Sequence, residues 1–203
     1  MATEVPGQYY LRVLDDMFSK QECKDLLARA EKTGWHKPGT GGTYMRSIII
    51  DQALAKELHN RIKEHIPDTY KADYFNKDGT YIRSRRYRLI CINDHFRFSK
   101  YYKGGRFPIH YDGKNIDSEG RESVFTLNIF LNDNFEGGET DFFDYHTVKL
   151  RYSVEPKPGR GALFYADQLH QGNKVTKPFK YLIRTDVMGY EIDEEGKVID
   201  NSF

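Results

Sequence analysis

The chain has 203 residues, 38% hydrophobic and 30% charged, which suits one globular domain, 1–203, with a real core. Its 31 Lys and Arg against 30 Asp and Glu leave a formal charge of +1, so no global field draws it to nucleic acid or anionic membrane. The two cysteines, Cys23 and Cys91, argue against a disulfide framework, and no basic segment leads into an apolar run, so the expected location is cytoplasmic.

In chain order, residues 9–13 form a short strand candidate. Ser19-Lys-Gln-Glu22 has the capping-box pattern, with Cys23, Leu26, Leu27 and Ala30 following at helical spacing and Gly34 ending the helix. Residues 39–43 are a Gly/Thr loop, and 47–50 a strand. Asp51 caps a second helix with Leu54, Leu58 and Ile62 on one face and Pro67 as its stop. Residues 71–85 are polar, aromatic and irregular, and carry no assignment. From residue 87 the texture changes. Segments 87–92, 96–102, 107–112, 123–131, 140–143, 149–154, 162–165 and 179–187 read as strands, broken by Gly-, Asn- and Pro-containing turns. That spacing suggests a sandwich or jelly roll, mainly β, with the N-terminal helices packed on one sheet. Residues 1–86 are then support and 87–190 the core. Residues 191–203 are an acidic hairpin or tail. The basic run from Arg83 to Arg88 reads as a solvated edge strand, in keeping with the near-zero net charge, with a face for an acidic substrate or nucleic acid as the alternative.

His110 and Asp112 are two apart, and on a strand residues i and i+2 share a face. His170, just after an apolar strand, supplies a third donor. Two His and one carboxylate make the facial triad that holds iron(II) with other positions open. A closed zinc site would use four ligands, usually with cysteine, and neither Cys is near. Either His alone would read as a loop or core residue. His36, His59, His65, His95 and His146 lack such company, and His59, His65 and His146 read as surface residues.

Lys180, Leu182 and Arg184 share one strand face. An inward cation is costly unless an anion meets it, either a bound carboxylate or an internal Asp or Glu such as Asp186. Thr126, Asn128 and Phe130 alternate on one face of the strand after the metal pair, and Tyr102 precedes the turn before His110. Thr126, Asn128 and Tyr102 are hydrogen-bond donors for a carboxylate, or ordinary strand residues.

These residues resemble a known family. From about Arg97 to Met188 the chain is similar to the iron(II)- and 2-oxoglutarate-dependent dioxygenases, in the prolyl 4-hydroxylase-like group. The resemblance is carried by Phe96-Arg-Phe-Ser-Lys-Tyr-Tyr-Lys-Gly-Gly, His110-Tyr-Asp112, Leu127-Asn-Ile-Phe-Leu-Asn132 and Phe135-Glu-Gly-Gly-Glu-Thr140. It continues through Pro156-Lys-Pro-Gly159, His170-Gln-Gly and Lys180-Tyr-Leu-Ile-Arg-Thr-Asp186, in the family's order. The implied fold is a double-stranded β-helix. The implied cofactors are Fe(II), 2-oxoglutarate as co-substrate and dioxygen, with ascorbate as an optional addition. His110, Asp112 and His170 match the iron ligands, and Lys180 the partner of the far carboxylate of 2-oxoglutarate. Arg184 matches a second contact, and Tyr102 a tyrosine that hydrogen-bonds the co-substrate. Phe130 stands where some relatives have Tyr, so Asn128 or Thr126 takes over that role. The presence of Asp112 weighs against a halogenase. The implied reaction hydroxylates an unactivated C–H bond, of a prolyl-type residue in a protein or peptide, with release of succinate and carbon dioxide. Alternatives are a free amino acid or other small metabolite as substrate, or a non-catalytic jelly-roll binding module. Residues 39–43, 71–85 and 113–121 are the expected substrate lid.

Overall fold

The computed structural model describes residues 2–4, 10–39, 41–75 and 80–199. Within them run β1 (Ala2–Glu4), β2 (Leu11–Leu14), α1 (Lys20–Thr33), β3 (Met45–Ile50), α2 (Gln52–Ile62), a 3-10 turn (Lys63–His65), β4 (Thr69–Phe75) and β5 (Tyr81–Ile92). There follow β6 (His95–Tyr101), β7 (Phe107–His110), β8 (Glu122–Phe130), β9 (Glu136–Gly137), β10 (Thr140–Phe143) and β11 (Leu150–Val154). The last are β12 (Gly161–Tyr165), β13 (His170–Gly172), β14 (Val175–Lys177) and β15 (Lys180–Ile192).

Both helices start where their capping residues put them. The Ser19 hydroxyl accepts from the Glu22 amide at 3.1 Å, and the Glu22 carboxylate accepts from the Ser19 amide at 2.6 Å. Gly34, at φ 88°, ends α1 with its amide donating to Ala30. The Asp51 carboxylate caps α2 through the Leu54 amide at 2.9 Å. Cys23, Leu26 and Ala30 of α1, with Leu54, Leu58 and Ile62 of α2, are buried against one face of the main sheet.

That sheet has nine strands in the order β1-β2-β12-β8-β15-β5-β4. The long β15 pairs with β6 along its first half and with β5 along its second, and β3 pairs with β6. A second sheet of four strands, β11-β10-β13-β7, faces it, and β14 with β9 makes a small third one. Every residue of β8 is buried, as a strand covered on both faces must be. Phe125, Leu127 and Ile129 turn to the helices, and Phe130 turns to the space between the sheets. On β15, Ile183 and Val187 take the helix side and Leu182 the inner side. The expected jelly roll with helices on the outside of one sheet is the fold found.

Three expectations need correction. Residues 71–85 are not irregular: β4 and β5 pair from Thr69↔Arg88 to Phe75↔Tyr81, although 76–79 lie outside the described residues. Their polar texture arises because much of one face is solvated while the other carries Tyr70, Tyr74 and Tyr87. The run from Arg83 to Arg88 is no edge, since β5 lies between β4 and β15, and the half-buried Arg85 is held in ion pairs with Glu122 and Glu191. Asp112 stands two residues past the end of β7, and His170 opens a strand of its own. The tail begins as a hairpin, closed by a bridge between Ile192 and Val198, and residues 200–203 lie outside the described residues.

Candidate metal and co-substrate site

His110 closes β7 and His170 opens β13, and the two are direct cross-strand partners with ring centroids 4.2 Å apart. Each ring is set by the same local contact. Nδ1 of His110 lies 2.8 Å from the carbonyl of Pro108, and Nδ1 of His170 lies 2.8 Å from that of Gln168. A carbonyl can only accept, so each Nδ1 carries a proton, and in the neutral ring Nε2 is the nitrogen left to bind a metal. Those Nε2 atoms stand 3.6 Å and 3.7 Å from the two oxygens of Asp112. The three donor atoms lie within 4.8 Å of one another, as donors around one ion at bonds of roughly 2 Å must.

Asp112 is fixed although it has left the strand. Its amide donates to Ala166 at 3.1 Å, and the Thr126 hydroxyl donates to one carboxylate oxygen at 2.6 Å. Arg184 Nη1 lies 3.3 Å from the other. Burial pushes the acid's pKa up, but the Arg184 guanidinium and the hydrogen bond from Thr126 outweigh it and hold it below the carboxylate range. Burial, opposed by Asp112, pushes His170 down to about 4, so its imidazole is neutral at pH 7. Two imidazoles held by the same local contact beside one anionic carboxylate are the donor set that ferrous iron takes.

The cavity beside this triad, about 360 Å³, lies between the two sheets. Lys180 lines it and is 1% exposed. Its ammonium donates to the Gly138 carbonyl at 2.5 Å and sits 5.3 Å and 5.2 Å from the ring centroids of Tyr101 and Phe130. Among the described residues no carboxylate pairs with it, and burial pushes its pKa down to about 7 against the pull of Glu139. Gly138, at φ 75°, is required here: a Cβ would stand 2.9 Å from Lys180 Cδ. Arg184 lines the cavity but is occupied, by Asp112 and by Asp186 at 3.2 Å, and Arg97 meets the same Asp186 at 2.9 Å. Of the two expected anchors, the structure leaves Lys180 unpaired and Arg184 paired.

Asn128 reaches the cavity with its buried side-chain oxygen unpartnered. Thr126 does not line it and instead holds Asp112. Tyr102 is a correction: it is 44% exposed and packs edge-on against Phe179, with ring centroids 5.2 Å apart. Tyr101, the register partner of Lys180, takes the inward place. Arg97, Ser99 and Tyr101 form the inward series, so strand periodicity alone places Tyr102 on the other face. Tyr44, Arg46 and Tyr111 also line the cavity. The first two come from β3 and the residue before it, and only the pairing of β3 with β6 brings them in. His59 lies apart, half-buried along a second cleft of about 750 Å³, and His146 is exposed. Residues 115–119 and Arg121 line that second cleft, and the segment is tied down. Asp117 accepts from the amides of Glu119 and Arg121, and Ser123 exchanges bonds with Asn115.

Residues 96–185 match the family model of the 2OG-Fe(II) oxygenase superfamily. No curated protein matches the chain by sequence. The fold is that of several solved prolyl hydroxylases. A viral collagen prolyl hydroxylase from Paramecium bursaria Chlorella virus-1 is 19% identical with a TM-score of 0.57, over 88% of this chain and 96% of that one. A Pseudomonas putida prolyl-4-hydroxylase is 14% identical with a TM-score of 0.60, over 89% of this chain and 93% of that one. A Trichoplax adhaerens prolyl hydroxylase, solved with a hypoxia-inducible-factor peptide fragment, is 13% identical with a TM-score of 0.60, over 87% and 82%. Among the described residues no helix is long and apolar enough to cross a membrane.

Proposed function

We propose that this protein, whose residues 96–185 match the family model of the 2OG-Fe(II) oxygenase superfamily, is a 2-oxoglutarate-dependent dioxygenase that hydroxylates an unactivated C–H bond of a prolyl-type residue in a protein or peptide, releasing succinate and carbon dioxide. The observation that carries this reading is the buried, unpaired Lys180 in one cavity with the donors of His110, Asp112 and His170. His110, Asp112 and His170 would hold the metal on one face and leave its remaining positions open. Bound there, ferrous iron supplies the redox chemistry that couples decarboxylation of 2-oxoglutarate to oxygen insertion. Lys180 would pair with the far carboxylate, replacing the water that its burial has removed. Arg184 and Thr126 keep Asp112 ionised and aimed. Asn128 offers a buried amide to whatever lies between the triad and Lys180. Phe107 and Leu182 make part of the wall apolar, which keeps water out.

The prolyl reading draws support from the shared fold and from the cavity mouth, where the half-exposed Tyr111 faces Tyr145 with ring centroids 5.8 Å apart and offers flat apolar edges to a peptide. A free amino acid or other small metabolite is the second reading, favoured by a cavity of only about 360 Å³ that must also admit 2-oxoglutarate.

The test is aerobic incubation with ferrous iron, 2-oxoglutarate and a panel of proline-containing peptides and free amino acids. Succinate should form in step with a product heavier by one oxygen. His110→Ala, Asp112→Ala and His170→Ala should fall to background while remaining folded. Near-full turnover in any one of the three would remove that residue from the donor set.

A further inference from the structure

The cavity is lined by four cationic side chains, Arg46, Arg97, Lys180 and Arg184, and by one carboxylate, Asp112. Pairing accounts for most of that excess. Arg97 and Arg184 share Asp186, and Arg184 also meets Asp112. Lys180 is claimed by the co-substrate in the reading above, on which this inference rests. A ferrous ion and a doubly ionised co-substrate cancel formally, so their arrival leaves the excess in place. Arg46 then remains without an anion: among the described residues its guanidinium has no carboxylate partner. Its Nη2 donates to the hydroxyl of Tyr44, its charge lies 5.4 Å from that ring's centroid, and its buried Nε has no partner.

The placement is also defined. Arg46 pairs with Ser99 across β3 and β6, and on its other side its backbone exchanges hydrogen bonds of 2.8 Å and 2.9 Å with His36. Tyr44 stacks on Tyr101 at 5.1 Å, and Tyr101 in turn flanks Lys180. A wall therefore runs from Lys180 through Tyr101 and Tyr44, all buried, to the half-buried Arg46. One cation sits at the closed end and one toward the solvent side, with aromatic rings between. A guanidinium held on an aromatic face, with a free N–H, is built to take a carboxylate.

We propose that Arg46 selects the substrate by receiving a carboxylate that the substrate carries close to the carbon being oxidised. That carboxylate can be an acidic side chain next to the target residue of a peptide, or the α-carboxylate of a free amino acid. Both present the same planar anion, and the experiment separates them.

Protein loaded with manganese(II) and 2-oxoglutarate, without oxygen, is titrated by calorimetry with two matched pairs of probes. One pair is acetyl-Gly-Pro-Glu-Gly-amide and its Gln twin, and the other is L-proline and L-prolinamide. The acidic member of one pair should bind at least about tenfold more tightly than its neutral twin, and which pair responds identifies the source. Arg46→Gln should erase the preference and Arg46→Lys should retain part of it, with melting curves confirming that both variants fold. Twins that bind alike in both pairs, or a preference that survives Arg46→Gln, would overturn the proposal. So would an Arg46→Gln protein that loses 2-oxoglutarate instead, since Arg46 would then belong to the co-substrate. Failure of the unmodified protein to take up 2-oxoglutarate would be a different result, and would sink the hydroxylase reading itself.

Discussion

Lys180 concentrates the electrostatics of the site in one side chain. Burial moves its pKa from the usual 10.5 to about 7. In the unliganded protein the unfolded chain binds more protons than the folded one between those values, so this residue's contribution to stability rises with pH across that window. Binding has the opposite sign. Only the ammonium pairs with a carboxylate, so 2-oxoglutarate affinity should be greatest below about pH 7. It should then fall toward tenfold per pH unit above it, with a proton taken up on binding. Calorimetry in buffers of different ionisation enthalpy reads both quantities. Lys180→Ala should weaken binding about tenfold or more and flatten the profile. A wild-type affinity that does not change from pH 6 to pH 9 would show that Lys180 is not the anchor, and the same loss in Arg184→Ala alone would transfer the role.

At the scale of elements, the site follows from strand alternation. Lys180, Leu182 and Arg184 were legible as one face in the sequence, and all three line the cavity. The same rule, started from Arg97, gives Tyr101; the expectation of Tyr102 broke that phase where the strand gives way to the turn. The spacing of His110 and Asp112 was legible too, although the carboxylate reaches its place from a loop tied to Ala166 and Thr126 rather than from the strand. The segment 113–121 reads in the sequence as a closing lid. In the fold it is a tethered turn, with the Asp117 amide donating to Arg121 at 3.0 Å, the Gly120 amide to Asp117 at 3.1 Å and an ion pair between Asp117 and Arg121. Lids are drawn from weakly bonded segments, and this one is well bonded. Amide exchange at Asp117, Gly120 and Arg121 should therefore be slow already in the free protein and little changed by 2-oxoglutarate and substrate. Fast exchange that slows on loading would restore the lid.

At the scale of the whole molecule, two sheets supply opposite halves of the chemistry. The second sheet brings both histidines, and the main sheet brings Lys180, Arg184 and Asn128, while the N-terminal helices cover the main sheet's far face. The C-terminal strands were legible because apolar alternation and Gly or Pro breaks mark them. The β4–β5 hairpin was not, because its long, polar strands hold Arg85 through distant acids, Glu122 and Glu191, that no local pattern reveals. Tyr44 and Arg46 were silent for a related reason: their role depends on β3 meeting β6 across some fifty residues of chain. The proposed activity requires that His110, Asp112 and His170 form a metal site against which Lys180 docks 2-oxoglutarate. The most direct measurement is a calorimetric titration of 2-oxoglutarate into the protein with and without manganese(II), repeated for Asp112→Ala and Lys180→Ala. One metal-dependent site is expected, lost in Asp112→Ala and weakened about tenfold or more in Lys180→Ala. Binding of equal strength without metal, or unchanged in both variants, would contradict it.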